Sequence, residues 1–430
     1  MKTLSPCAAR TSVQAARIIR ETIARVISRV NTLSEDGPGW TRPSYSDLES
    51  EAHAIIEAEA RELGLEISRD AAGNLFARMA GYDRTAPALY MGSHLDTVGQ
   101  GGAYDGQAGV AGALAILAAI RAEGIAPATD IVLTVTRAEE SVWFPVSYIG
   151  SRSALGLLTA EEFQAKRADT GLTLAEHMAQ QGYQSEEVLA QTPPSPARFL
   201  EFHIEQGPVL YEAAEPYGIV TAIRGGLRYR AAQVHGTWAH SGAAPREGRA
   251  DAVVALAELI VALNKVWDRI LFTGADLTVT FGKVDAASPQ HAMAKVAGEA
   301  GFCLDMRSDD EAVLEQADRE LKTEIARIEA AHQGIRFELG GQSRSKPAKL
   351  SPAMTDFADR GAALRGDKPR RMLSGGGHDA AAFATAGWQS VMVFIRNWNG
   401  SHCPDEAMDE ADLAAAAEAV FLSITAGAAS

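Results

Sequence analysis

Ala88-Leu89-Tyr90-Met91-Gly92-Ser93-His94-Leu95-Asp96-Thr97 is the stretch that decides the fold. The apolar run Ala88 to Met91 predicts a buried strand. It delivers His94 and Asp96 at its C-terminal end, where open α/β sheets gather their ligands. Gly101-Gly102-Ala103-Tyr104-Asp105-Gly106 then turns the chain and presents Asp105 just before an apolar, alanine-rich segment, Ala108 to Ala122, that predicts a helix. A second apolar run, Asp130 to Thr136, predicts the next strand. Strand, helix and strand in this order form the unit of a largely parallel sheet. A histidine and a carboxylate fixed at a strand end and a helix start suit a divalent metal, although a lone His-x-Asp is as often a hydrogen-bonded pair.

The same periodicities extend outward. Ser12 to Val30 and Ser46 to Leu63 have helical spacing, with Ser46 placed as an N-cap, and Asn74 to Met79 reads as a strand. Arg198 to Ile204 is a further strand, after a polar stretch that is helical in patches. The pattern changes near residue 213. Gly218 to Ile223, Arg228 to Val234, Leu277 to Val284 and Gly301 to Met306 read as strands among two long helices, Arg249 to Val266 and Asp309 to His332. This predicts an α+β unit, residues 213–331, inserted into a larger α/β domain made of residues 1–212 and 332–430. The larger domain is expected to hold a mixed, largely parallel sheet with helices on both faces.

Bulk properties narrow the partners. The chain has 430 residues, enough for two domains, with 47% hydrophobic and 22% charged residues. Its formal net charge of -15 argues against nucleic acid or an anionic membrane as partner, and no apolar run is long enough to span a bilayer. An anionic small-molecule substrate would need a local positive site. Three scattered cysteines, Cys7, Cys303 and Cys403, imply no disulfide framework, and Met1 to Arg10 lacks the apolar core of a secretory signal. A reducing cytoplasm is the expected compartment.

Three further stretches break local rules in one direction. Arg137-Ala138-Glu139-Glu140 places two acids at the end of an apolar strand, where an unpaired carboxylate is costly. His203 ends the strand Phe199 to Phe202, and His402 follows the strand Val391 to Ile395. His94, Asp105, Glu140, His203 and His402 are five candidate ligands, more than one tetrahedral ion takes. With one carboxylate bridging, they supply three protein ligands to each of two ions around a shared water, whose proton Glu139 would take.

Gly92-Ser93-His94-Leu95-Asp96-Thr97, Tyr104-Asp105-Gly106, Glu139-Glu140, His203-Ile204-Glu205-Gln206-Gly207 and Ser401-His402-Cys403-Pro404-Asp405-Glu406 together resemble the hydantoinase/carbamoylase amidase branch of the M20 metallopeptidase family. That branch holds N-carbamoyl-L-amino-acid hydrolases and allantoate amidohydrolases. The resemblance implies two divalent ions per subunit (Zn, Mn, Co or Ni), with His94 and His203 on one, Glu140 and His402 on the other, and Asp105 between them. Asp96 would orient His94, and Glu139 would act as general base and then acid. The insert would be a lid and dimerisation domain of a homodimer. His240, in Gly236 to Gly242, would reach the partner subunit's site and polarise the scissile carbonyl. Gln206, Arg307, Gly376 and Gly377 match substrate-binding positions, with Arg307 holding a carboxylate.

The chain departs from the branch at Ala294, where an asparagine is usual, and His291 is the nearest replacement for that contact. Trp143 stands where an arginine is common, and Cys403 where an asparagine is frequent. The resemblance implies a two-metal amidohydrolase that cleaves the amide C–N bond of an N-carbamoyl amino acid or close analogue. Two alternatives stand beside it. One is a hydrolase of N-acyl amino-acid conjugates or dipeptides in the same family; the other is a non-catalytic metal- or ligand-binding protein on the same scaffold.

Overall fold

The computed structural model describes residues 11–35 and 37–428, which form two compact units. One comprises the described residues up to Thr221 and from Lys349 onward; the other is Ala222–Ala348. Cys7 and the Met1 to Arg10 segment lie outside the described residues, and Cys303 and Cys403 are free thiols.

In chain order the strands are β1 (Glu66–Arg69), β2 (Leu75–Met79), β3 (Leu89–His94), β4 (Ile131–Thr136), β5 (Arg198–Ile204), β6 (Tyr217–Ile223), β7 (Gly225–His235), β8 (Ala239–His240), β9 (Thr278–Asp285), β10 (Lys295–Val296), β11 (Glu299–Ser308), β12 (Arg336–Glu338), β13 (Gln342–Ser345), β14 (Ala348–Lys349), β15 (Arg370–Ser374) and β16 (Gln389–Ile395). The larger unit holds a mixed sheet in the order β1-β2-β4-β3-β5-β16-β6-β14, with β15 beside β6. Its centre, β4-β3-β5-β16, is parallel, and β2 and β6 run antiparallel on its two flanks. β1 escaped the sequence reading because Glu66-Ile67-Ser68-Arg69 is a mostly exposed edge with no apolar run.

Both faces are covered, so β4 is buried along its whole length. On one face Leu75, Met91, Leu133, Phe202 and Val393 join a core with the helices Val13–Val30, Gln107–Ala122 and Glu410–Ala428. On the other, Phe199 stacks on Phe383 of the helix Asp379–Thr385, and Trp388 packs against Phe383 and Tyr90. The helix Gln107–Ala122 is apolar all round and buried from Gln107 to Ile120, as a central helix should be. Its Gly109 lies on β5: a Cβ there would sit 2.2 Å from the Phe202 carbonyl oxygen and 2.6 Å from Ser93 Cβ. That close approach seats the start of the helix, and Asp105 just before it, against the strand ends that carry His94 and His203.

The smaller unit is an antiparallel sheet, β12-β7-β11-β9 with β13 beside β7. Along β11, Ala300, Phe302, Leu304 and Met306 are buried with the helices Ala252–Phe272 and Glu311–Ala331, whereas Asp305 and Arg307 point to the opposite face. Asp251 caps the first of these helices through the Val253 and Val254 amides.

The chain passes between the units at 221/222 and 348/349, not at 212/213 and 331/332 as the sequence suggested. Two pairings move the boundaries. β6 pairs with β16 of the larger sheet, and β12 and β13 pair with β7 of the smaller. Among the described residues, no helix is long and apolar enough to cross a membrane.

Gly109→Val would wedge the central helix away from β5. We expect a loss of about 1–3 kcal/mol, the usual scale of overpacking, read as a lower urea midpoint, together with weaker divalent-metal binding because Asp105 moves with the helix.

Candidate metal centre

β3 and β4 are parallel neighbours in a register that sets His94 opposite Thr136. Their ends are therefore level, and the residues just beyond them meet. The Asp96 carboxylate joins them. Its Oδ1 accepts the Glu139 amide at 3.0 Å, and its Oδ2 accepts the Glu140 amide at 3.1 Å and the Ser44 hydroxyl at 2.6 Å. His94 Nδ1 lies 3.3 Å from the same carboxylate and 3.0 Å from the Asp96 carbonyl oxygen.

The Glu139-Glu140 turn is also held from behind. Ala138 is left-handed, with φ of 51°, and its amide donates to Glu49 Oε1 at 2.8 Å. Glu49 is itself buried against Arg137 at 2.9 Å. Asn74 Oδ1 accepts the Arg137 amide at 2.9 Å. Each side chain that holds this turn comes from another segment, and sequence spacing does not show the connections.

His94, Asp105, Glu139, Glu140 and His203 are buried and converge with His402, which is 46% exposed at the mouth. Asp105 Oδ1 lies 3.1 Å from His203 Nε2 and 3.6 Å from His94 Nε2. Asp105 Oδ2 lies 3.2 Å from His402 Nε2, which is 3.5 Å from Glu140 Oε1. Two sets of candidate ligand atoms result, His94-Asp105-His203 and Asp105-Glu140-His402, each within 4.8 Å of one another. Asp105 is common to both. Glu139 Oε2 stands 3.9 Å from His94 Nε2. Gly106 makes the approach possible: its φ is +65°, and a Cβ would fall 2.5 Å from the His94 ring.

The donor set fits a metal. His94 Nδ1 and His203 Nδ1 face carbonyl oxygens, of Asp96 at 3.0 Å and of Ile204 at 2.9 Å. A carbonyl only accepts, so each Nδ1 carries the proton and each Nε2 presents its lone pair to Asp105. His94 Nε2 is fully buried and makes no hydrogen bond. In the larger unit, the ion pairs of Asp96, Asp105, Glu139 and Glu140 are all with histidines. Burial raises the Glu139 pKa well above the usual carboxylate range, and the Glu140 and Asp379 charges add to this. Burial beside Asp105 pushes Glu140 up to about 8. The hydrogen bond to Asp105 lifts His402 to about 9. Several acids crowd a low-dielectric pocket, and a divalent cation answers that crowding.

Other residues singled out in the sequence take definite places. Gln206 reaches the same centre, its amide donating to Asp105 Oδ2 at 2.8 Å, with Gly376 beside its Oε1. Gly377 packs against the Tyr148 hydroxyl. His240, Arg307 and His291 belong to the smaller unit. His240 Nδ1 accepts the Gly242 and Ala243 amides, both at 3.1 Å, which leaves Nε2 as an exposed donor. Arg307 pairs with Asp305 at 2.8 Å. Both ring nitrogens of His291 face backbone carbonyls, of Ala286 and Glu299.

Glu406 stands in the motif Ser401 to Glu406, but the sequence reading assigned it no role. It is buried, and its Oε1 accepts the Tyr104 and Asp105 amides at 3.0 and 3.2 Å, so it fixes the main chain at Asp105. Its place in the same motif, four residues after His402, was the available signal.

Residues 90–426 match the family described as Peptidase family M20/M25/M40, and the chain belongs to that family. It is 31% identical over 405 residues to an N-carbamoyl-L-amino acid amidohydrolase of Geobacillus stearothermophilus, covering 92% of this chain and 96% of that protein. It is 30% identical over 374 residues to the allantoate amidohydrolase of Bacillus subtilis, covering 87% and 89%. A crystal structure of a hydantoinase/carbamoylase family amidase from Burkholderia multivorans superposes with a TM-score of 0.84 at 27% identity, covering 96% of this chain and 98% of the other.

Asp96→Asn keeps the shape but offers one acceptor oxygen where two are used. We expect divalent-metal affinity to fall roughly 10–100-fold, the scale for a partner that orients a ligand, measured by competition with a chromophoric chelator. A second outcome concerns pH. Glu140 and His402 are raised to about 8 and about 9, and burial raises Glu49, Glu201 and Glu406 to about 7. A raised group stabilises the fold fully below its unfolded pKa, and that stability is lost as pH rises through the folded value. In excess chelator the melting temperature is therefore expected to fall from pH 5 to pH 9. Added divalent metal should flatten the decline, as followed by thermal denaturation.

Proposed function

We propose that the chain is a two-metal amidohydrolase that acts on an N-carbamoyl amino acid or a close ureido analogue. The observation that carries the reading is the divided Asp105 carboxylate, with one oxygen toward His94 and His203 and the other toward His402. The names of the relatives at 30–31% identity support the substrate class.

In this reading His94 and His203 would hold one ion and Glu140 and His402 the other, with Asp105 shared between them. Divalent ions there would supply Lewis acidity, acidifying a water and polarising the substrate carbonyl. Glu139 takes the proton of the attacking water and returns it to the leaving nitrogen. Its buried, acid-crowded setting lifts its proton affinity, which suits a group that must hold a proton between the two steps. Asp96 keeps Glu139 and His94 in fixed relation. A ureido substrate and one water give the amino acid and carbamic acid, which breaks down to carbon dioxide and ammonia.

The smaller unit would serve as lid and dimerisation domain of a cytoplasmic homodimer. His240, with Nε2 as donor, would stabilise charge on the carbonyl oxygen across the dimer, and Arg307 would hold the substrate carboxylate. Zn, Mn, Co and Ni all accept this ligand set.

A substrate panel tests the reading. Metal-loaded protein is expected to release ammonia from N-carbamoyl amino acids faster than it releases acid from N-acyl amino acids or splits dipeptides. The reverse order would move the assignment to an acylase or peptidase. Glu139→Gln should bind metal normally while kcat drops by a factor on the order of 10²–10⁴; unchanged turnover would remove Glu139 as the base.

A further inference from the structure

Asp105 Oδ2 and His402 Nε2 are 3.2 Å apart, and the Gln206 side-chain amide sits against both. Gln206 Nε2 donates to Asp105 Oδ2 at 2.8 Å, lies 3.1 Å from His402 Nε2 and is 3.3 Å from the Ser401 hydroxyl. An imidazole nitrogen offers a single in-plane lone pair. A divalent ion on these two ligand atoms would lie about 2.0–2.2 Å from each. The Gln206 amide nitrogen already lies within hydrogen-bond distance of the same two atoms. The amide and the ion therefore draw on the same two ligand atoms.

The competition is confined to the side chain. The Gln206 main chain is left-handed, with φ of 61°, and its amide donates to the buried Asn397 Oδ1 at 3.0 Å. Just before it, the Glu205 amide donates to the Ile395 carbonyl at 3.0 Å, and the Glu205 carboxylate accepts the Val209 and Leu210 amides at 2.8 and 2.7 Å. The backbone is pinned on both sides, so only rotation about the side-chain bonds clears the ligand atoms. Among the described residues no comparable donor blocks the other set: His94 Nε2 makes no hydrogen bond, and His203 Nε2 faces the Asp105 carboxylate.

We propose that the Gln206 amide is an internal competitor for the second ion, so that the two ions load unequally and in order. The His94-Asp105-His203 set fills first. Filling of the Asp105-Glu140-His402 set requires the amide to swing out, which releases its donor and acceptor toward the substrate. Metal loading and exposure of a substrate-binding amide are then one event. This rests on the two-ion reading above.

The test is metal binding to the full-length metal-free protein, followed by calorimetry with Mn or Zn alone. The wild type is expected to bind two ions per chain in two resolved phases. Gln206→Met keeps the bulk and removes the donor, and Gln206→Ala removes both. Each should tighten the second phase by about tenfold or more, the scale of a charge-assisted hydrogen bond no longer broken, and leave the first phase unchanged. Two equal phases in the wild type, or a second phase unmoved or weakened in both variants, would overturn the competition while leaving the two-ion reading standing. A single ion per chain in all three proteins would defeat the two-ion reading and this inference with it.

Discussion

The centre depends on one fully buried carboxylate, Asp96. A carboxylate accepts about four hydrogen bonds, and Asp96 uses its two oxygens on Ser44, His94 and the amides of Glu139 and Glu140. These donors come from three separate segments. Because β3 and β4 are parallel and in register, one short side chain two residues past His94 reaches the turn that follows Thr136. The distance between a candidate ligand and the candidate base is thus set by sheet geometry, not by loop conformation. The acid gains as well: its hydrogen bonds, with the charge of the buried Arg42 acting on it, offset the cost of burying it.

The same device recurs around the pocket. Glu49 takes the Tyr45 and Ala138 amides, Glu406 those of Tyr104 and Asp105, and Glu201 the Ala380 amide with the Ser93 hydroxyl. Each acid ties its own segment to a part of the chain distant in sequence. Building a site this way has an electrostatic cost, because the carboxylates that organise the backbone also crowd the ligands with negative charge. Burial first, and then that crowding, raises the pKa values of Glu139, Glu140, Glu201 and Glu406. A cation at the centre relieves it, so folding and metal binding draw on one source of energy.

The unit of β3, Gln107–Ala122 and β4 was legible in the sequence because it is built of strong apolar runs, and the five candidate ligands because they stand at or beyond strand ends or, for Asp105, just before a helix. Spacing and strand ends were sufficient there. The parts that escaped share a physical reason. Glu406 bonds to Tyr104 and Asp105 across about three hundred residues, and Glu49 meets Arg137 across 88. No local pattern separates a buried acid from a solvated one. The inner boundaries were displaced for a related reason: β12 and β13 are short polar strands, identified only by their pairing with β7. The sequence marked Arg307 and His291 as candidate substrate contacts but not what they touch, which is Asp305 for the first and two backbone carbonyls for the second.

The chain leaves the larger sheet along β6 and rejoins it at β14, the strand beside it. Exit and re-entry are adjacent, so the larger sheet is ordered without reference to the segment between them. Closing that gap with a short turn or with a long segment differs little in entropy, since loop-closure cost grows only slowly with length. Evolution can therefore treat the intervening segment as exchangeable cargo. Descendants that lengthen, trade or discard it inherit the strand ends bearing His94, Glu140 and His203 unaltered. The candidate metal ligands can then stay fixed in one part of the gene while another part varies.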